Sequence, residues 1–255
     1  MIGLSPQADN LWVKPRQPDS RVNVRLFCFP YSGAGASIYY KWADVLPSIV
    51  SVYPVQLPGR ETRIAESPFT QLEPLIMAAA NALLPHLGQK FAFFGHSMGA
   101  LVAYELTRFL QQHLNLSPVH VFVSGFGAPH LPSQHSPIHH LPTPDFVQEL
   151  RKLKGTPEEV FQHRELRDLV LPILRSDFAV CETYRYRPAE PLPCPISAFG
   201  GLEDAEVPRS RLEAWREQTN REFKLRMFPG DHFYLNHSRL MLLRAVAAEL
   251  GGAGK

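Results

Sequence analysis

Short apolar runs alternate along the chain with longer stretches in which apolar residues recur every three or four positions. The short runs are typical of buried strands, which we predict over residues 22–29, 51–55, 91–94, 119–123, 195–199 and 223–228. The periodic stretches predict helices over residues 70–86, 98–113 and 238–250. Strands that alternate with helices indicate an α/β fold with a mostly parallel central sheet flanked by helices.

Residues 129–190 interrupt this alternation and are rich in proline. Thr143 and Thr156, each followed by a proline, predict two helix starts with threonine as the N-cap, and a glutamate three positions after the second completes a capping box. A long apolar stripe predicts a third helix, kinked at Pro172. We expect one domain over residues 1–255, with these helices inserted after a central strand.

The most specific chemical signal is a Gly-x-Ser-x-Gly motif at Gly95, Ser97 and Gly99, which joins a predicted strand directly to a predicted helix. A tight turn in this context exposes a nucleophilic serine, and glycines let strand and helix approach each other. The backbone N–H of Met98 would lie at the helix N-terminus, where it can face an oxyanion. Because three fixed positions often recur by chance, the hypothesis also requires a base and an acid.

The loop after the first strand contains a second set of glycines. Gly33 and Gly35 lack the third glycine of a dinucleotide-binding fingerprint, so we do not expect nucleotide binding. We expect the backbone N–H of Ser32 to be the second oxyanion donor, together with that of Met98; a plain tight turn is the alternative. Ser37 is predicted to cap the helix that follows.

Two further segments carry local predictions. Residues 4–20 are polar and proline-rich, and we expect an arm that lies on the domain and is anchored by Trp12. Arg60 follows the next strand, where it could meet a phosphate. A surface salt bridge with Glu61 or Glu66 is the prediction that we favour for it.

The general base is predicted to be His232. It follows the serine motif in the chain and lies in a glycine-containing loop directly after a predicted strand. His237 is placed at the start of the last helix instead. His96 is adjacent to Ser97, but neighbouring side chains in such a turn point apart, so we expect it to pack beside the turn.

The acid that orients this histidine is predicted to be Asp204, in the loop after the strand at 195–199. Glu203 and Glu206 are its nearest rivals, and Asp177 in the inserted region is a more remote one. Asp231, beside the proposed base, is expected to stabilise its own loop.

If the inserted helices lie over the serine as a lid, their apolar side would line a channel for an acyl chain. The predicted lining residues are Phe178, Cys181 and Tyr184. Internal packing is the alternative role for this stripe.

The composition excludes several classes of partner and compartment. The net charge is +2 with scattered basic residues, so no nucleic-acid partner is expected, and no apolar run is long enough for a signal peptide or a membrane span. Four histidines between positions 130 and 140 lack acids or further ligands at metal-binding spacing, so we expect a solvated loop and no metal. The three cysteines, Cys28, Cys181 and Cys194, are odd in number and show no metal-binding spacing, and two of them lie in or beside predicted buried strands. Together with the lack of a signal peptide, these features favour a reducing cytoplasm without disulfides.

Taken together, these motifs resemble the type II (editing) thioesterases of nonribosomal peptide and polyketide synthases. The sequence is also similar to the medium-chain acyl-carrier-protein thioesterases of fatty acid synthesis. The resemblance covers nearly the whole chain and rests on residues 26–33, 56–61, 94–99, 155–157, 175–178, 182–184, 215 and 228–233.

The resemblance implies an α/β-hydrolase fold with a helical lid, a catalytic triad of Ser97, Asp204 and His232, and oxyanion donors at Ser32 and Met98. It implies hydrolysis of acyl groups from the phosphopantetheine arm of acyl or peptidyl carrier protein domains, without a tightly bound cofactor. The sequence does not indicate an oligomeric state, and a monomer is our default expectation. The first loop departs modestly from the usual pattern, since serine and alanine flank its glycine, and an aspartate replaces a glycine before the catalytic histidine.

A triad alone leaves other functions open. A carboxylester hydrolase would use the same residues, and an acyltransferase would replace water by another nucleophile. A carrier-binding module without activity is the non-enzymatic alternative, which the complete set of triad residues disfavours.

Overall fold

The computed structural model describes residues 10–13 and 22–252. Six strands form one sheet: β1 Val24–Phe29, β2 Val50–Pro54, β3 Phe91–His96, β4 His120–Ser124, β5 Ile196–Gly201 and β6 Phe223–Phe228. Their order is β2-β1-β3-β4-β5-β6, and every neighbouring pair is parallel. The predicted parallel sheet is therefore confirmed. The strand order changes direction between β1 and β3, which opens a crevice at their carboxyl ends.

The described helices lie between these strands and after the last one. They are α1 Leu72–Leu83, α2 Met98–Leu114, α3 Thr143–Leu153, α4 Glu158–Gln162, α5 Arg164–Glu182, α6 Arg209–Glu213, α7 Tyr234–His237 and α8 Arg239–Gly252. Short 3-10 helices cover Ala36–Trp42, Glu61–Arg63, Leu84–His86 and Ala214–Gln218. The prediction of His237 at the start of the last helix is wrong, because this residue ends the separate turn α7.

Both faces of the sheet are covered, which explains why the central strand β3 is buried at every position. Neighbouring side chains on a strand face opposite ways, so Phe93 packs with α1 and α2, whereas Phe94 packs with Trp42 and α8. The Phe94 and Trp42 ring centroids are 4.7 Å apart. Full burial of such a side chain contributes about 1.5–3 kcal/mol, so these layers stabilise the sheet that carries the site.

Between β4 and β5 the chain leaves the sheet and forms α3, α4 and α5. These helices bury an apolar cluster of their own, made of Phe146, Val147, Leu150, Phe161, Leu171 and Leu174. α5 runs as one helix through the exposed Pro172, and its later turns join the main core through Val180. The inserted segment is thus seated on the domain by the second half of α5.

Three N-cap predictions are wrong. The residues at the N-caps are Gly35, Pro142 and Pro157, and none of these caps has a side-chain hydrogen bond. Ser37 does not cap because its N–H and hydroxyl both donate to the carboxylate of Glu61. In the other two helices the cap lies one residue away from the predicted threonine, since the fixed φ of proline suits the entrance of a helix.

Residues 10–13 are held against the domain by several contacts. Val13 forms an antiparallel bridge with Val55, and the N–H of Gln56 donates to the carbonyl of Trp12 at 2.7 Å. The guanidinium of Arg63 lies over the Trp12 ring, 4.6 Å from its centroid. Trp12 is the anchor that the sequence predicts; most of the predicted arm, residues 4–20, lies outside the described residues.

Candidate active site

Ser97 is the single residue between the end of β3 and the start of α2. Its backbone dihedrals, φ 53° and ψ −121°, lie outside the regions that side-chain-bearing residues ordinarily occupy. Such a conformation costs on the order of 1–3 kcal/mol and persists only where the surroundings enforce it. Its N–H donates to the carbonyl of Ser124 at 2.8 Å, and its carbonyl accepts from Ala100 at 2.9 Å. The serine is therefore fixed by β4 on one side and by α2 on the other.

Asp204 and His232 form a hydrogen-bonded pair at the same edge of the sheet. Asp204 Oδ2 lies 2.9 Å from His232 Nδ1, and the carboxylate is fully buried. Its other oxygen accepts the backbone N–H groups of Glu206 at 2.8 Å and Val207 at 3.1 Å. These bonds fix the carboxylate towards Nδ1 of the imidazole and leave Nε2 of the ring for another partner.

The loop after β4 lies close to both the serine and the histidine. Ser124 accepts the N–H of Ser97, and the next residue, Gly125, has φ +59°. A Cβ on Gly125 would lie 3.3 Å from Cε1 of His232 and 2.6 Å from Cε1 of His96. Ser97 and His232 thus both lie next to residues 124–125, at the carboxyl end of β4.

His96 is buried beside this turn, as predicted. Its Nδ1 lies 2.8 Å from the hydroxyl oxygen of Ser124, which in turn lies 2.5 Å from the hydroxyl of Tyr234. Burial lowers the pKa of His96 well below its ordinary value, and the nearby His232 lowers it further. The ring centroids of the two histidines are 5.1 Å apart. A neutral His96 avoids placing a second positive charge beside the imidazolium that His232 would become.

The rival acids have other partners. Glu203 accepts the N–H of Gly230, which ties the Asp204 loop to the His232 loop. Glu206 lies 3.3 Å from Nε2 of His135. Asp231 accepts the N–H of Phe233 at 2.9 Å, which agrees with its expected role in stabilising its loop.

Ser32 and Met98 lie on segments that meet. A Cβ on Gly99 would overlap the carbonyl oxygen of Phe29, so the end of β1 touches the first turn of α2. The loop after β1 closes with a hydrogen bond from Ala34 N–H to Tyr31 O at 3.0 Å. Ser32 is half-buried in this loop and Met98 is buried. Their role as oxyanion donors stays a prediction.

The prediction of a surface salt bridge at Arg60 is wrong. Arg60 is buried, and its guanidinium makes two hydrogen bonds to Asp177 on α5, at 2.6 and 2.8 Å. This pairing also accounts for Asp177, the remote rival for the catalytic acid. The two residues are 117 positions apart, so no local spacing indicates the pair. The available signal was that both lie in segments that carry the family resemblance without a catalytic assignment.

The predicted acyl-channel residues lie in two places. Phe178 packs edge-on against Phe146 at a centroid distance of 6.0 Å, within the cluster of the inserted helices. Cys181 and Tyr184 pack against the main core instead, and the Tyr184 hydroxyl donates to Glu105 at 2.6 Å. Burial raises the pKa of the Cys181 thiol. Contact with an acyl chain stays a prediction for all three.

The histidine-rich loop is less solvated than predicted. His139 Nδ1 lies 2.5 Å from Glu182, and His130 Nε2 lies 3.3 Å from Glu217. Among the described residues, no group of three or more His, Cys, Asp or Glu side chains could hold a metal ion.

Across the same part of the chain, no helix has the length and apolar character needed to cross a membrane.

A parallel sheet, a strained serine turn and an acid–histidine pair at the carboxyl edge define an enzyme of the α/β-hydrolase class. The chain belongs to the thioesterase domain family, whose model matches residues 24–250. This result confirms the family resemblance that the sequence motifs indicate.

Named relatives align over most of the chain. The gramicidin S biosynthesis protein GrsT of Aneurinibacillus migulanus is 47% identical over 241 residues, 94% of each chain. The medium-chain S-acyl fatty acid synthase thioesterase of Rattus norvegicus is 33% identical over 216 residues, 83% of this chain and 81% of that protein. Among solved structures, the type II thioesterase BorB from the borrelidin biosynthetic cluster matches with a TM-score of 0.86 and 36% identity, covering 96% of this chain and all of BorB.

Proposed function

We propose that the chain is a type II thioesterase that hydrolyses acyl groups from the phosphopantetheine arm of acyl or peptidyl carrier domains. Its role would be to clear misprimed or stalled modules of a synthase. The observation that carries the proposal is the convergence of the strained Ser97 turn with the Asp204–His232 pair. The full-length similarity to GrsT and BorB, whose names refer to gramicidin S and borrelidin biosynthesis, supports carrier-bound thioesters as the substrate class.

In the first step, Ser97 Oγ attacks the thioester carbonyl while Nε2 of His232 accepts its proton. Asp204 holds the opposite nitrogen of the ring and stabilises the imidazolium. The N–H groups of Ser32 and Met98 would receive the developing oxyanion, and the N-terminus of α2 adds its dipole. Collapse of the tetrahedral intermediate expels the pantetheine thiol, which takes the proton back from His232.

In the second step, water replaces the thiol. His232 accepts a proton from the water as it attacks the acyl-serine carbonyl, and the same donors receive the second oxyanion. The free acid leaves and the proton returns to Ser97. These residues account for both steps without a cofactor, and one chain supplies them all. We therefore infer action by a monomer, in a reducing cytoplasm where the free cysteines need no partner.

The acyl chain would lie between the catalytic edge and the inserted helices. Phe178 is the lining residue that we favour, because it belongs to the apolar cluster of those helices and is only half-buried. Cys181 and Tyr184 are retained as weaker proposals, since their present contacts are with the core.

The test is mass spectrometry of an acetyl-loaded phosphopantetheinyl carrier protein incubated with the wild-type chain and with Ser97→Ala. We expect the wild type to release free thiol and the variant to leave the carrier loaded. An oxygen ester of the same acyl group is assayed in parallel. Cleavage of the oxygen ester alone would overturn the carrier-thioester proposal in favour of a carboxylester hydrolase.

A medium-chain fatty acyl-carrier thioesterase is the second candidate, favoured by the 33% identity to the rat enzyme. The same assay with a series of acyl chains separates the two functions. Editing predicts efficient release of acetyl and other short groups, whereas the alternative predicts a preference for medium chains with little acetyl release.

A further inference from the structure

A carboxylate from the inserted segment reaches the loop that would hold the oxyanion donor. Asp177 lies on α5 and is 2% exposed. Its Oδ2 accepts the backbone N–H of Gly33 at 2.7 Å and one guanidinium nitrogen of Arg60 at 2.6 Å. Its Oδ1 accepts a second nitrogen of Arg60 at 2.8 Å. Gly33 directly follows Ser32, so Asp177 fixes the peptide unit next to the proposed donor.

The rest of this loop is held by the same network. Arg60 also donates to the carbonyls of Ala34 and Pro58, both at 3.3 Å. Gln56 donates to the carbonyl of Arg60 at 2.9 Å and accepts the N–H of Ala36 at 3.1 Å. Gly33, Ala34 and Ala36 are therefore each hydrogen-bonded to a buried side chain: to Asp177 of α5, to Arg60 and to Gln56, respectively.

Steric contact adds to these bonds. Gly33 has φ +82°, and a Cβ on it would lie 2.6 Å from Cδ2 of Leu174, about one turn before Asp177 on α5. α5 thus packs directly on the loop with an apolar side chain and bonds to it with a charged one. The position of the loop therefore depends on the packing of α5 against it.

A buried ion pair is a weak source of stability, because desolvation offsets most of its attraction and apolar replacements are often neutral. We propose that Asp177 and Arg60 are positioning residues for the reaction, which hold the Ser32–Gly33 peptide so that the Ser32 N–H faces the thioester oxygen. The inference rests on the proposed function and deepens its oxyanion assignment. If the inference is correct, stabilisation of the oxyanion depends on the packing of α5 against the Ser32 loop.

Two double variants test the hydrogen bond separately from the charges. Arg60→Met with Asp177→Asn keeps a side-chain oxygen for the Gly33 N–H, whereas Arg60→Met with Asp177→Leu removes it. Neither leaves an unpaired buried charge, so both should fold. Removal of one oxyanion donor costs about 10²–10³ in kcat. We expect the leucine variant to have a kcat at least about tenfold below the asparagine variant, with KM changed less than about threefold.

Thermal unfolding and Ser97 labelling by a fluorophosphonate probe complete the test. Labelling should also be slower in the leucine variant, whose Tm should fall by only a few degrees because one N–H loses its acceptor. Equal kcat values and labelling rates in the two variants, or a kcat that simply follows Tm, would overturn the positioning role. A wild type that neither labels at Ser97 nor hydrolyses thioesters would instead overturn the proposed function. Glu158→Gln, which breaks an exposed ion pair with Arg151 on the inserted helices, is the control expected to leave all readouts unchanged.

Discussion

Gly95 and Gly99 are in backbone contact across the turn that holds Ser97. A Cβ on Gly95 would overlap the carbonyl oxygen and carbon of Gly99, and a Cβ on Gly99 would overlap the carbonyl oxygen of Phe29. Strand, turn and helix meet with no room for a side chain. The two glycines are therefore required by packing. The close approach of strand and helix places the serine between them in its strained backbone conformation.

Gly95→Ala should lower the free energy of unfolding by about 3 kcal/mol or more, because backbone atoms would have to move. Gly88→Ala is the matched control, since no atom lies within 4 Å of a Cβ at that position. We expect the control to change stability by less than about 1 kcal/mol. Urea unfolding, monitored by circular dichroism, gives the stability of both variants, and equal stabilities would contradict the packing argument.

Asp204→Asn should reduce kcat by about 10⁴, because the amide can present its N–H to Nδ1 and so favour the wrong imidazole tautomer. Stability should change little, since the amide oxygen can still accept the N–H groups of Glu206 and Val207. The measurement is steady-state hydrolysis of a carrier thioester. Glu203→Gln is the control on the neighbouring residue, and we expect it to lose less than about tenfold. A larger loss in the control than in Asp204→Asn would remove Asp204 from the triad.

Sequence reasoning succeeded where the signal is local or follows from the topology. Gly95, Ser97 and Gly99 lie within five positions, so the turn could be predicted directly. Asp204 and His232 are far apart, but both follow strands of one parallel sheet, whose carboxyl ends meet at one edge. The predicted acid and base could therefore be assigned to the same edge before the structure was known.

Sequence reasoning failed where a partner came from the inserted segment. A charged residue in a loop is usually exposed, and nothing near Arg60 in the chain indicates that α5 covers it. The position of α5 depends on apolar contacts of Leu174 and Val180 with separate clusters, which no local period encodes. The capping predictions failed on a smaller scale, because threonine and proline are both acceptable at a helix entrance.

His120 should make stability fall in mild acid. Burial lowers its pKa from 6.5 to about 4 despite the opposing charge of nearby Glu249; its Nε2 lies 2.9 Å from Ser197 Oγ. Below pH 6.5 the unfolded chain takes up a proton that the folded chain excludes, so this contribution destabilises as the pH falls towards 4 and is absent above 6.5. The effect is at most about 3 kcal/mol.

The check is urea unfolding of the wild type and His120→Gln between pH 4 and pH 7.5. The slope of unfolding free energy against pH should be smaller in the variant. His96 acts in the same direction, so some slope should remain. His140→Gln removes an exposed histidine and serves as control. Parallel curves for His120→Gln and the wild type would show that His120 is protonated equally in both states.

Phe178→Ala should shift the preferred acyl chain towards longer substrates. The substitution removes a ring that packs edge-on against Phe146 and would extend an acyl pocket beneath the inserted helices. Each methylene newly accommodated contributes about 0.8 kcal/mol, or about fourfold in kcat/KM. We expect the optimum in a series of acyl-carrier substrates to move by at least about two carbons. Leu169→Ala alters an exposed residue of the same helix, 49% accessible, and should leave the profile unchanged. If both variants retain the wild-type optimum, Phe178 does not limit the acyl chain, and the pocket must be bounded by other residues.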